Sequence, residues 1–384
     1  MHNKNIPIND QVSLNKFYLE CLNENILAID TEFVRENSYH PILCLVQIAG
    51  SNFSKAIDPL SGINMEPIWK LLSNRNILKV FHAARQDIEI FFNLTGKIPE
   101  PIYDTQIAAM FCGLGEQIGY ENLINKLLGL TISKEHQFTN WLQRPLSQKQ
   151  IDYAISDVSY LIKVFPLIEK KIEEKNRRDW VKKEFNLLQK TDLYQIEPDE
   201  AWKKIKIKRS NPEMLFILKN LACWRETECK KRNIPRGRLI RDDVLINLSY
   251  GKPKTINEIK KVRAFPKHFS NDDCLMILNI INKCLKNLPK VLHKKIKLKE
   301  KKTISKDTLN LLKLLLNYCS QKSGIAEKVI ANGDDLRLIL EGKKKNVKVF
   351  YGWRNEIFGN KVESLLKGKI AFKLEKGIVK KIDI

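Results

Sequence analysis

Ile26-Leu27-Ala28-Ile29-Asp30-Thr31-Glu32-Phe33 runs from four apolar residues straight into two carboxylates. The apolar run has the composition of a buried strand. Strand side chains alternate with period two, so Asp30 and Glu32 project to one face a few ångströms apart. Two like charges held that close at the end of a core strand repel unless a cation sits between them. Carboxylate oxygens suit hard divalent cations such as Mg²⁺. Taken alone, an Asp-x-Glu is also what chance places at strand ends, facing water.

Further along, Ile77-Leu78-Lys79-Val80-Phe81 reads as a second buried strand, and His82 to Asp87 leads into a helical run ending near Phe92. Asp87 falls in the first turn of that helix, where an acid is ordinary because it complements the helix dipole. Residues 147–171 carry apolar positions at helical spacing. Within them Tyr153 and Asp157 are four apart and share one helix face. By itself that pair is an ordinary helix-surface contact.

In this order and at these separations, Asp-x-Glu, then Asp, then Tyr-x-x-x-Asp resembles the DEDD exonucleases of the tyrosine subclass, and most closely the ribonuclease D family. Asp30 to Arg35 with Tyr39, Phe81-His82-Ala83, Asp104-Thr105-Gln106, Trp141 to Leu146 and Tyr153 to Leu161 all look like blocks of that family. Asn140 stands where relatives often carry an acid, and Ala84-Arg85-Gln86 is not the commonest tripeptide; neither departure removes a metal ligand. The resemblance implies a metal-dependent 3′→5′ exoribonuclease that uses two divalent ions, Mg²⁺ or Mn²⁺, and releases nucleoside 5′-monophosphates. By that resemblance Asp30 bridges both ions, Glu32 and Asp157 complete the site that activates water, and Asp87 holds the second ion. Tyr153 orients the attacking water; an unperturbed pKa near 10 suits a phenol to that task rather than to a general base. The implied substrate is RNA with a free 3′ end, chiefly tRNA precursors, with no obligate protein partner. Two other readings use the same acids: a DNA 3′→5′ exonuclease of proofreading or repair type, and a non-catalytic RNA-binding protein with a vestigial nuclease fold.

Composition bounds the rest. The chain has 384 residues, long enough for two or three domains, and 43% apolar content, which is globular. No run approaches a membrane span, and the first 20 residues lack the basic start and apolar core of a signal peptide, so a cytoplasmic location without membrane contact is expected. The eight cysteines, at 21, 44, 112, 223, 229, 274, 284 and 319, show no Cys-x-x-Cys, which argues for buried thiols rather than disulfides or zinc. Charge is unevenly placed. Residues 1–190 hold 22 Lys and Arg against 22 Asp and Glu, whereas residues 191–384 hold 45 against 22, so the whole net charge of +23 lies in the second half. Codon bias would have charged both halves alike. The basic half is therefore expected to capture a polyanion for a neutral catalytic half, and removal of residues 203–384 to spare hydrolysis of short oligonucleotides.

The patterning predicts an α/β exonuclease domain over 1–195, a mixed sheet flanked by helices in line with the ribonuclease H-like fold of the family, followed by two small all-α domains. Strands are expected near 25–30, 42–48, 54–58 and 77–81, with helices near 65–73, 84–93, 120–128 and 147–171. Lys203 to Arg209 reads as a basic connector. Residues 211–288 resemble the helicase-and-ribonuclease-D C-terminal (HRDC) domain, a helical nucleic-acid-binding module, in which Pro235 breaks a helix and Asp242-Asp243 cap the next. Trp224 reads as core with Arg225 beside it. Lys230, Lys231, Arg232, Arg236, Arg238 and Arg241 are the candidate RNA contacts, taken as exposed, although a charge run is commonly only a solvated face. A second basic connector covers 293–302, and 305–384 resembles a degenerate copy of the same helical domain, with a closing alternation, Phe372 to Ile384, that suits a short hairpin.

Overall fold

The computed structural model describes residues 5–133, 135–136, 139–207, 210–287 and 305–384. The connector at 293–302 and the last two residues of the one at 203–209 lie outside them.

Helix α1 (Gln11–Cys21), which periodicity did not reveal, precedes a five-stranded sheet of order β3-β2-β1-β4-β5: β1 (Ile26–Val34), β2 (Ile42–Ala49), β3 (Ser54–Ile57), β4 (Leu78–Phe81) and β5 (Ile102–Asp104). β1 pairs antiparallel with β2 and parallel with β4, so the sheet is mixed as expected. The expected end of β1 near residue 30 is corrected: the strand runs on through Asp30 and Glu32 to Val34, with a bulge between Glu32 and Phe33. Its pairing with β4 stops at Ala28, so beyond that residue one edge of β1 is open and the acids stand beside a gap. One face of the sheet carries α1, α2 (Glu66–Leu72) and α3 (Arg85–Thr95) over a core of Leu27, Ile29, Val46 and Ile48. On the other face lie α4 (Thr105–Phe111), α5 (Tyr120–Leu128), the long α6 (Gln148–Glu174) and α7 (Arg178–Leu188). α6 starts sharply because Ser147 and Gln150 form a reciprocal capping box.

The HRDC-like unit is α8 (Pro212–Arg232), α9 (Arg236–Leu239), α10 (Asp242–Gly251), α11 (Ile256–Lys260) and α12 (Asn271–Lys286). α8 ends at Asn233 in the left-handed conformation, two residues before Pro235. Asp242 and Asp243 occupy the first turn of α10 rather than its cap, which is Arg241 and makes no side-chain cap hydrogen bond. The expected connector is not free chain at its start: Lys203 and Lys204 close a 3₁₀ stretch, Pro198–Lys204, whose Ala201, together with Ile205 beyond it, is buried in the core of this unit.

The C-terminal unit repeats the opening order, with long α13 (Lys306–Ser323), one-turn α14 (Glu327–Ile330) and α15 (Gly333–Leu340). Ala331, like Ile240 between α9 and α10, is an extended residue between the last two. α16 (Asn360–Leu366) and the hairpin β6 (Ile370–Glu375) and β7 (Ile378–Asp383) follow. This unit shares one continuous core with the exonuclease: Leu312, Leu316, Val329, Trp353 and Phe358 pack with Phe111, Val164, Ile168 and Val181. Trp353 stacks on Trp180 at 5.2 Å, the largely buried Arg354 pairs with Glu184 at 2.6 Å, and Arg177 donates to the carbonyls of Phe111 and Ser323. Truncation at residue 203 therefore strips the exonuclease of part of its own core, and hydrolysis is not expected to survive it. No helix among the described residues is long and apolar enough to cross a membrane.

Trp353→Ala is expected to cost about 3–5 kcal/mol. A urea titration followed by circular dichroism and by exonuclease activity checks it, because the exonuclease should unfold earlier along with the C-terminal unit.

Candidate active site

Three elements deliver the four acids. Asp30 and Glu32 come from the open edge of β1, and Asp157 comes from α6 where it crosses the sheet. Single oxygens of these three carboxylates lie within 4.8 Å of one another. Asp87, in the first turn of α3, is 6% exposed and accepts a 2.5 Å hydrogen bond from the Thr31 hydroxyl, which ties it to β1 between the other two acids.

Asp104 positions α3. Its carboxylate accepts from the amides of Ala83 and Ala84 at 3.1 and 2.9 Å, and from Gln106 and Ile107 at 2.8 and 3.2 Å. One buried side chain thus caps α4 and clamps the turn that launches α3, a turn in which Ala83 has a φ of 61°. The sequence marked Asp104 only as part of a resemblance block; its work as a clamp depends on the turn at Ala83 and Ala84, 21 and 20 residues away, and is invisible locally.

Burial first, and then mutual repulsion, push the acids up. Asp30 and Asp87 are raised well above the ordinary carboxylate range, Glu32 is pushed up to about 10, and Asp157, which the Tyr153 hydroxyl helps to hold down, reaches about 7. Burial and the neighbouring acids also raise the Tyr153 phenol, so Tyr153 stays protonated and serves as a donor, not a base. A hard cation suits such an oxygen cluster: three converging carboxylates with no Lys or Arg paired to them among the described residues fit a divalent ion by donor type and spacing.

Beside the acids opens a cleft of about 320 Å³, lined among others by Asp30, His82, Tyr120, Ile132, Tyr153 and Asp157. His82 and Tyr120 were not singled out as site residues. Burial pulls His82 down to about 4, so it is a neutral wall, held by Thr105 at 2.9 Å and the Ile118 carbonyl at 3.0 Å. Tyr120 donates to the backbone carbonyls of Ser156 and Asp157 and packs edge-on to His82, bracing α6 where it carries its acid.

The basic candidates sort differently from expectation. Arg236 is half-buried in a bidentate pair with the fully buried Glu226, at 2.6 Å for both contacts, and donates to the Tyr39 hydroxyl at 3.1 Å. Lys230 is half-buried and donates to the Ile196 carbonyl at 2.8 Å. Arg232 pairs with Glu228 and Asp273, and Arg241 with Asp243. Lys231 and Arg238 are exposed and without an ion pair among the described residues. Trp224 is core, edge-on to Phe269, and Arg225 is buried on the Ile240 carbonyl and Asp242. All eight cysteines are free.

The strand order, the long acid-bearing helix and the carboxylate cluster define a 3′→5′ exonuclease, and residues 5–173 match the family model described as 3'-5' exonuclease, with 215–281 matching the HRDC domain. The chain is 40% identical to ribonuclease D of Zymomonas mobilis over 96% of both chains, and 39% identical to that of Sphingobium indicum over 97% of both. The crystal structure of Escherichia coli RNase D superposes with a TM-score of 0.82 at 25% identity, covering 95% of this chain and 99% of that one. This chain belongs to the ribonuclease D family and is a 3′→5′ exoribonuclease. The vestigial reading is thereby set aside.

An acid whose folded pKa is raised holds a proton that the unfolded chain has shed, so its contribution to stability falls as pH climbs from the unfolded value. That value is 3.8 for Asp157 and 4.5 for Glu32, and the loss continues to about 7 and about 10 respectively. The metal-free protein should lose melting temperature between pH 5 and pH 8, and saturating Mn²⁺ should remove most of that slope. Asp30→Asn, melted without metal, should gain on the wild type as pH rises; an equal pH slope in the two proteins would contradict the assignment.

Proposed function

We propose that the chain trims 3′ nucleotides from structured RNA, with tRNA precursors as the principal substrates, using two divalent ions held by Asp30, Glu32, Asp87 and Asp157. The observation that carries this is the meeting of three carboxylates within 4.8 Å, with no Lys or Arg paired to them among the described residues, beside a cleft large enough for a nucleotide. When bound, the ions offset the repulsion among the acids, activate water and stabilise charge on the departing oxygen. Asp30, which lies close enough to both Asp157 and Asp87 to interact with each, would contribute to holding both ions. Tyr153, held as a phenol, orients water through its hydroxyl. His82 and Tyr120, both neutral, wall the cleft in which the terminal nucleotide sits. Water adds to phosphorus, the bond to the 3′ oxygen of the preceding nucleotide breaks, and a nucleoside 5′-monophosphate leaves a new 3′ hydroxyl. The preference for structured RNA is supported by the Escherichia coli relative, described as an exoribonuclease involved in structured RNA processing.

A 5′-labelled RNA with a 3′ extension, incubated in Mg²⁺ or Mn²⁺, should shorten from its 3′ end faster than DNA of the same sequence. EDTA and Asp30→Ala should each abolish the ladder, and Tyr153→Phe should lower kcat by about 10²-fold. Persistent cleavage in EDTA would falsify the metal reading.

For capture, Lys231 and Arg238 are the candidates that are both exposed and without an ion pair among the described residues. Replacing both with Gln should flatten the dependence of log affinity on log salt by about 1–2. An unchanged slope in filter binding would place capture elsewhere on the basic half.

A further inference from the structure

Gln47 is a polar residue that the chemistry above does not use. Its side chain is fully buried, and neither its amide nitrogen nor its amide oxygen has a hydrogen-bond partner among the described residues. Leaving such a group unpaired is destabilising, and Leu or Met of similar volume would avoid that cost. An amide kept there needs a reason.

Its place in the sheet supplies one. On β2, Gln47 is the cross-strand partner of Asp30 on one side and of Ala56 on β3 on the other. Cross-strand partners send their side chains to the same face, with Cβ atoms about 4.5–5.5 Å apart. On that face the apolar residues fall into two groups. Leu45 and Ala56 pack with Ile151 and Ala154 of α6, while Ala28, Ala49 and Val80 belong with Val158 and Leu161. Asp30 and Gln47 fall in the break between the groups. The alanines around them offer no side-chain polar atom, so Asp30 is the polar side chain that the register brings to Gln47.

We propose that Gln47 is a positioning residue of the metal site: its amide, unpaired while Asp30 is protonated, donates an N–H to the Asp30 carboxylate once divalent cations ionise it, and so fixes the orientation in which that carboxylate holds them. Carboxylates that bind metal are themselves commonly held by such outer hydrogen bonds, and losing one costs about 10–100-fold in metal affinity or activity. The inference rests on the two-ion reading of the site.

The test is Gln47→Met in the full chain, with Gln47→His as the conservative variant that keeps a donor, each compared with wild type by Mn²⁺ titration of the melting temperature and by kinetics on a short RNA. Gln47→Met should melt roughly 2–4 °C higher without metal, because an unpaired amide has been replaced by an apolar isostere. It should also bind Mn²⁺ about 10–100-fold more weakly and lose kcat to a similar extent with KM unchanged, and Gln47→His should recover most of both. If wild type itself gains no stability from Mn²⁺, the two-ion reading fails and this inference with it. If wild type binds Mn²⁺ and Gln47→Met binds equally, or if Gln47→Met fails to fold, the role of Gln47 as a positioning residue is overturned while the site stands.

Discussion

The crossing of α6 over the open edge of β1 is the constraint on which the rest of the molecule depends. Asp30 and Glu32 lie on the face of β1 that the helix covers, and only the rotation and height of α6 decide whether Asp157 meets them or points away. Many contacts fix that pose. The capping box at Ser147 starts the helix, Tyr120 grips its backbone at Ser156 and Asp157, and small side chains such as Ala28, Ala49 and Ala154 let it lie close to the sheet. Farther along, Val164, Ile168 and Ile172 continue into the core shared with the C-terminal unit. Apolar packing at several points thus supplies the free energy that holds like charges together, which the acids cannot do for themselves.

Much of the site was legible because its signals are local. An Asp-x-Glu on a strand and a Tyr-x-x-x-Asp on a helix state their own geometry through periods of 2 and 3.6. The expected α/β domain and the helical units after it match the architecture of the solved relative. β5, only three residues long, and α1, with an indistinct apolar face, carried too little periodicity to be seen.

What the sequence misplaced were relations between distant residues. Arg236 read as a free cation because its partners are Glu226 on the previous helix and Tyr39, 197 positions away. The C-terminal unit read as a separate module because Trp353 and Arg354 look like any helix core until Trp180 and Glu184 are seen opposite them. The amide of Asn233, which accepts from the backbone of Tyr39, likewise gives no hint in sequence that it joins two domains.

The shared core has a topological consequence. Because the C-terminal unit folds back onto the exonuclease, the HRDC-like unit is held by the chain at both ends and clasped to the loop after β1 by Tyr39, Asn233 and Arg236. It resembles the handle of a bucket more than a bead on a string: a chain break between Lys286 and Lys306 would leave the exonuclease still clothed in its C-terminal cover, joined by packing where the peptide no longer joins them.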